Sequence, residues 1–278
     1  FEAPQITPES TATKPSEVYK PGATLDRTLE YNGKTVPIYR DRPLNVFSDV
    51  DFIWTDEENE NQRRLEYLGG EFRTRYGIDV SSFQGEIDWD AVADDDIDFA
   101  MVRVGFRGTG TGSLNADKYY EQNIRGAMRA GLETGVYFFA QAVTVEEAIE
   151  EADYVISLLD GLDINGPVAY DWEMHDSTYR VYGTSPEMAT ACAVAFCERI
   201  KDAGYTPMVY AGTYVTYLKY DQGALADYLS WYPEYKSEKS EKLCPTLVYH
   251  MDYWQFSSTR AVAGINGRVD MNIQFIRR

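Results

Sequence analysis

The stretch VAYDWEMH, residues 168 to 175, ends a short apolar run in two carboxylates set one residue apart, Asp171 and Glu173. An extended backbone sends residues i and i+2 to the same face, roughly 6 to 7 Å apart. Both acids therefore point the same way, close enough to disturb each other's ionisation. An isolated D-x-E reads most simply as a solvated strand end, so the neighbouring segments decide its meaning.

Those neighbours repeat one rhythm. GIDV (77 to 80), DFAMVRVGF (98 to 106), TGVYFFA (134 to 140), GPVAYDWE (166 to 173) and TPMVYAG (206 to 212) are short β-branched or aromatic runs of buried-strand type. Between them lie the helical patterns ADKYYEQNIRGAMRAG, TVEEAIEEADYVISLLDG and SPEMATACAVAFCERIKDAG, the last two opening on a Thr or Ser cap and closing on Gly. Alternation of this kind predicts a parallel sheet with crossover helices. LVYHMDYWQFSS and GRVDMNIQFI then follow as strand-like segments without a strong helix between them. The expectation over residues 76–278 is an α/β fold, a TIM-like barrel that begins as β/α units and finishes in plain strands. In such barrels functional side chains sit at the C-terminal ends of the strands. Asp79, Asp171, Glu173 and Asp270 would then converge on one mouth from three distant segments.

The remaining text is different. Residues 1–22, rich in Pro, Thr, Ser and Glu, have the composition of an extended linker. Residues 23–75 carry an Asn32-Gly33 hairpin signal in TLEYNGKTVPIYR and a second strand-like run with a charged turn in VDFIWTDEENENQRRLEYL, which predicts a small β-rich appendage packed on the barrel.

Composition narrows the function. With 26 basic and 45 acidic residues the chain carries a formal charge of −19, which opposes binding to nucleic acid by phosphate neutralisation. Twenty-two tyrosines and five tryptophans suit a core, and also a cleft that stacks sugar rings. No apolar run approaches the ~20 residues that span a bilayer, so stable membrane insertion is not expected. Two histidines, His175 and His250, rule out a multi-histidine zinc site and leave a cysteine–histidine nucleophile pair unsupported. Cys192 and Cys197 read as small buried thiols on a helix. GTGTGS (108 to 113) matches no phosphate-loop spacing and reads as a mobile rim loop.

From about residue 76 the chain resembles glycoside hydrolase family 25, the Chalaropsis-type lysozymes or N-acetylmuramidases. The resemblance rests on DVSSFQG (79 to 85), GVYFFA (135 to 140), YDWE (170 to 173), WQFSS (254 to 258) and GRVDMN (267 to 272), in the family's order. It implies an irregular barrel of five β/α units and three further strands, with Glu173 as general acid/base, Asp171 as its partner, and Asp79 and Asp270 as the cleft's remaining acids. It implies bacterial peptidoglycan as substrate, no cofactor or metal, and a secreted or wall-associated monomer; the first residues hold no basic stretch followed by an apolar one, so an exported chain is expected to have lost its signal already. Two departures stand out: VYAGTY (209 to 214) replaces a common Tyr-Thr-Asn after strand five, and HDSTYRVYGTS (175 to 185) lengthens the loop after the acids.

Carboxyl pairs recur in glycoside cleavage because the leaving oxygen needs a proton and the oxocarbenium-like centre needs stabilisation. Glu173 should hold a proton near neutrality if Asp171, Asp79 and Asp270 around it are ionised. Whether the nucleophile is the substrate's own acetamido oxygen or a carboxylate stays open at this level. Phe83, Tyr137, Phe139, Tyr210 and Trp254 are candidates for the sugar subsites, and Arg103, a charge in a buried-looking strand, should pair with one of the cleft acids. Two other readings remain: a glycan-binding module without turnover, and a hydrolase of another 2-acetamido glycan such as chitin.

Overall fold

A computed structural model describes residues 13–22, 24–55 and 63–278. Residues 1–12 of the linker expected over 1–22, and the charged turn at 56–62, lie outside the described residues. The chain opens with a helical turn, α1 (Pro15–Val18), and a hairpin of β1 (Leu25–Tyr31) and β2 (Lys34–Tyr39). Its two-residue loop is Asn32-Gly33, both with positive φ (49° and 71°), as a primed turn between right-twisted strands requires. A second small sheet pairs β3 (Phe52–Trp54) with β4 (Leu65–Tyr67).

The main body follows as β5 (Phe72–Val80), α2 (Trp89–Asp94), β6 (Phe99–Arg107), β7 (Leu114–Ala116), α3 (Tyr120–Arg129), β8 (Glu133–Ala140), α4 (Val145–Leu158), β9 (Val168–Trp172), α5 (Pro186–Asp202), β10 (Pro207–Tyr210), α6 (Thr213–Leu218), β11 (Leu229–Pro233), β12 (Tyr253–Arg260) and β13 (Val269–Arg277). Eight strands close into a barrel: β5, β6, β8, β9, β10, β11 and β12 pair in parallel, and antiparallel β13 joins β12 back to β5. β7 is a short antiparallel edge beside β6. Five β/α units and three further strands are present as expected. The helix starts follow the caps: Thr144 accepts from the Glu147 N–H and Ser185 from the Met188 N–H, with Pro186 in the first turn of α5.

Three details differ from the sequence reading. β5 begins at Phe72, four residues before the expected boundary. The strand β11, LSWYP, went unlocated because five residues ending in Pro give little periodicity to read. In LVYHMDYWQFSS only the second half joins the barrel; Tyr249 in the first half bridges to Leu44 of the N-terminal region.

Alternation sorts the barrel strands into two surfaces. Phe99, Met101, Ala169, Met208, Tyr210, Trp231 and Tyr253 pack together inside the barrel. Gly77 of β5 makes room for this plug, since a Cβ there would come within 2.3 Å of the Phe99 ring. Residues of the opposite parity, such as Val102, Val136, Phe138, Val168 and Tyr170, join the larger core under the helices. β12 and β13 have no helix of their own outside them. There Phe47, Phe52 and Tyr67 cover Trp254 and Phe275, with Phe47 4.4 Å from Phe275 and Phe52 5.3 Å from Trp254 between ring centres.

A chain starting at residue 72 should therefore be less stable, not merely shorter. Exposing two aromatic side chains of 150–250 Å² at about 25 cal/mol/Å² costs on the order of 5 kcal/mol or more. The expected fall in Tm is roughly 10–20 °C. An unchanged melting curve would reduce the N-terminal region to a spacer.

Candidate active site

The C-terminal ends of the parallel strands form a mouth lined by carboxyl groups. Asp79 stands near the end of β5, Asp171 in β9, and Glu173 one residue beyond β9. Asp270 reaches the same end because β13 runs the other way: its first turns of strand lie opposite the last of β5, with Asp270 in register with Asp79. The four acids expected to converge do so.

Their surroundings are unequal. One Asp79 oxygen accepts from both Gln255 Nε2 (2.9 Å) and Asn272 Nδ2 (2.8 Å). These amides are themselves oriented, Gln255 Oε1 by the hydroxyls of Tyr210 (3.0 Å) and Tyr235 (3.2 Å), and Asn272 Oδ1 by Trp231 Nε1 (2.8 Å). Even so, burial moves the Asp79 carboxyl up to about 6, with Glu173 adding to the shift against these donors. Burial, then the charges of Asp79 and Glu173, push Asp270 up to about 8. Asp171 is buried and its Oδ1 has no hydrogen-bond partner among the described residues; desolvation, helped by Glu173 and Asp79, raises its carboxyl well above the usual range. Burial and like charges thus work against ionisation of Asp171 and Asp270 in the free protein, against the condition of ionised neighbours set for Glu173 above.

Glu173, unlike the buried Asp79 and Asp171, has about a quarter of its side chain exposed, with Oε2 at 2.8 Å from His175 Nε2. Beside it a cavity of ≈ 410 Å³ is lined by Trp172, His175, Tyr210, Tyr214 and Tyr235 among others. His175 carried no signal in the sequence beyond its place in the inserted loop. Gln255 and Asn272 were legible in principle: Asn272 lies two residues after Asp270, on the same face, and Gln255 is its partner across β12–β13.

Of the subsite candidates, Tyr137 sits inside the mouth in edge contact with Trp231 (5.8 Å), Phe139 is half-buried next to Asp171 in register, and Tyr210 is bound into the Asp79 network. Phe83 is 85 % exposed at the rim, stacked over the Arg103 guanidinium at 5.1 Å. Trp254 is the exception. It is fully buried on the outside of β12 against Phe52, because the parity that turns Gln255 into the mouth turns Trp254 away from it. Arg103 also departs from expectation: its partner is the buried Asp117, at 2.8 Å, rather than any of the four acids. Asp117 in turn accepts from the Ser82 N–H, so the pair fixes the loop that presents Phe83.

All three cysteines are buried and free. The GTGTGS segment is the β6–β7 turn, fastened by Arg107 Nη1 to the Gly112 carbonyl and by the Arg180 N–H to that of Thr109. Among the described residues no group of three or more Asp, Glu, His or Cys side chains is disposed to hold a metal ion, and no helix is long and apolar enough to cross a membrane.

A β/α barrel finished by three plain strands, with acids gathered at one mouth, defines a class; matching to known families names it. Glycosyl hydrolases family 25 matches residues 78–265, more than half of the chain, and the chain belongs to that family. It is 25% identical over 197 residues to the autolytic lysozyme of Clostridium acetobutylicum, covering 70% of this chain and 54% of that protein. With lysozyme M1 of Streptomyces globisporus it shares 27% over 201 residues, 70% of this chain and 66% of the other. The chain thus spans about half to two thirds of these relatives. The crystal structure of the bacterial lysozyme from Streptomyces coelicolor superposes with a TM-score of 0.57 at 26% identity, over 71% of this chain and 90% of that one.

Proposed function

We propose that this chain hydrolyses the β-1,4 bond between N-acetylmuramic acid and N-acetylglucosamine in bacterial peptidoglycan, acting outside the cytoplasmic membrane. The observation that carries the reading is the pair at the end of β9: a buried Asp171 whose Oδ1 has no donor among the described residues, next to an accessible Glu173. A buried acceptor without a partner is costly, and a substrate amide would supply one.

The sequence of events follows from the placing of these two acids. A 2-acetamido N–H placed against Asp171 favours its carboxylate form, and Glu173 protonates the departing glycosidic oxygen. The acetamido oxygen closes on the anomeric carbon as the C–O bond breaks, giving an oxazolinium whose N–H is held by Asp171. Water then attacks that carbon as its bond to the acetamido oxygen breaks and the acetamide re-forms, Glu173 takes the water's proton, and the configuration is retained. Asp79 and Asp270 hold the opposite wall, and Tyr137, Phe139, Tyr210 and Phe83 offer ring faces to the sugars.

The test is mass spectrometry of purified peptidoglycan after digestion. New reducing ends should be muramic acid. Glucosamine ends, or release from chitin instead, would assign a different bond, and binding without release would make the chain a glycan-binding module.

A further inference from the structure

The strand ladder between β8 and β9 stops at the pair Ala140–Trp172, one residue short of Glu173. The next pair in register would be Gln141 and Glu173. There a side chain continues what the backbone has stopped doing: Gln141 Nε2 donates to the Glu173 carbonyl at 2.8 Å. Gln141 is fully buried, and its Oε1 has no partner among the described residues, so the bond to the Glu173 carbonyl is the one this side-chain amide makes there. A glutamine that merely filled the core would be expected to satisfy both ends.

The backbone of Gln141 is held just as firmly. Its N–H donates to Glu151 Oε1 at 3.0 Å, and Glu151, wholly buried, is paired with Arg107 at 2.8 Å. Its carbonyl accepts from Arg180 Nη1 at 2.8 Å, and Arg180 makes a two-pronged pair with Glu147 (2.7 and 2.8 Å). Arg180 belongs to the inserted loop that follows the acids, so the loop is tied to the same point. Planar two-pronged pairs fix direction as well as distance.

We propose that Gln141 is a positioning residue for the reaction: clamped between Glu151 and the inserted loop's Arg180, it sets the backbone of Glu173 and through it the place of the acid. This rests on Glu173 being the acid/base. Displacement of a reacting group by about 1 Å can cost on the order of 10²-fold in rate while leaving substrate contacts elsewhere intact.

The test is steady-state kinetics on soluble, uncrosslinked peptidoglycan with Gln141→Met, which keeps the volume and loses the donor, alongside Glu173→Gln. The expected result is a fall in kcat of about 10- to 100-fold with KM changed by less than about threefold, a split that general loosening of the core would not give. Arg180→Met, at a side chain 22% exposed and outside the core, should give a smaller fall of the same kind, and it decides the matter if Gln141→Met does not fold. Unchanged kcat in the folded variants, with Glu173→Gln inactive, overturns the positioning role alone. Activity in Glu173→Gln overturns the assignment of the acid itself.

Discussion

Glu173→Gln should lose about 10²- to 10⁴-fold in turnover, the range that a general acid contributes, while melting within a degree or two of the parent. Glutamine has the same shape, can still accept from His175, and leaves the carbonyl that Gln141 holds untouched. Its amide has no proton to give the leaving oxygen. Binding to undigested peptidoglycan should therefore survive, and a sedimentation assay with insoluble wall material would show retained affinity beside lost release. A variant that turns over normally would place the acid elsewhere in the mouth.

Asp171→Asn should move activity and stability in opposite directions. Turnover should fall by at least about 10²-fold, since the amide cannot develop the negative charge that steadies the oxazolinium N–H. Stability at pH 8 should rise. Asp171, Asp79, Asp270 and, beneath them, Glu151 all have carboxyls raised in the folded state, the last three to about 6, 8 and 7, each chiefly by burial. Groups of this sign stabilise the fold fully below their unfolded value near 4, and lose that contribution as pH climbs through the folded value. Glu147, lowered mainly by Arg180 against its own desolvation, has the opposite sign and matters only below about 4.5. The parent should thus melt at progressively lower temperature from about pH 4.5 to 8, and the asparagine variant should lose less over that interval. The gap between the two curves should close in acid, where the proton already neutralises Asp171. Parallel curves would mean that Asp171 carries its charge without penalty. Sites that gain stability when a functional group is removed are common where selection has placed like charges together.

How much of this was visible in the residues themselves follows from which physical pattern was being read. The period-2 alternation in VAYDWEMH put Asp171 and Glu173 on a shared face, and the β/α rhythm placed that face at one end of a barrel together with Asp79 and Asp270. Parity also explains the failure at Trp254: the motif WQFSS was legible, but the choice of which alternate residues face inward depends on the pairing of Gln255 with Asn272 across two strands, a long-range fact. Arg103 shows the same limit. A buried cation must find an anion, but Asp117, fourteen residues later, competes with four better-known acids, and only the folded β7 edge brings it there. The hold on Glu173 by Gln141 was hidden for a third reason, since it begins where a regular ladder ends.

The N-terminal sheets bear on how this architecture can vary. Five strands of the barrel are roofed by crossover helices and three are not, so Trp254, Phe256 and Phe275 have an apolar outer surface that the barrel's own connections never reach; Phe47, Phe52 and Trp54 reach it instead. Roof and surface are separated by some two hundred positions in sequence, yet neither is tolerable without the other. Substitutions at the two should accordingly travel together: a family member that dispenses with residues equivalent to 23–71 is free of them only if it has polar side chains at those three positions, or lays another domain over them.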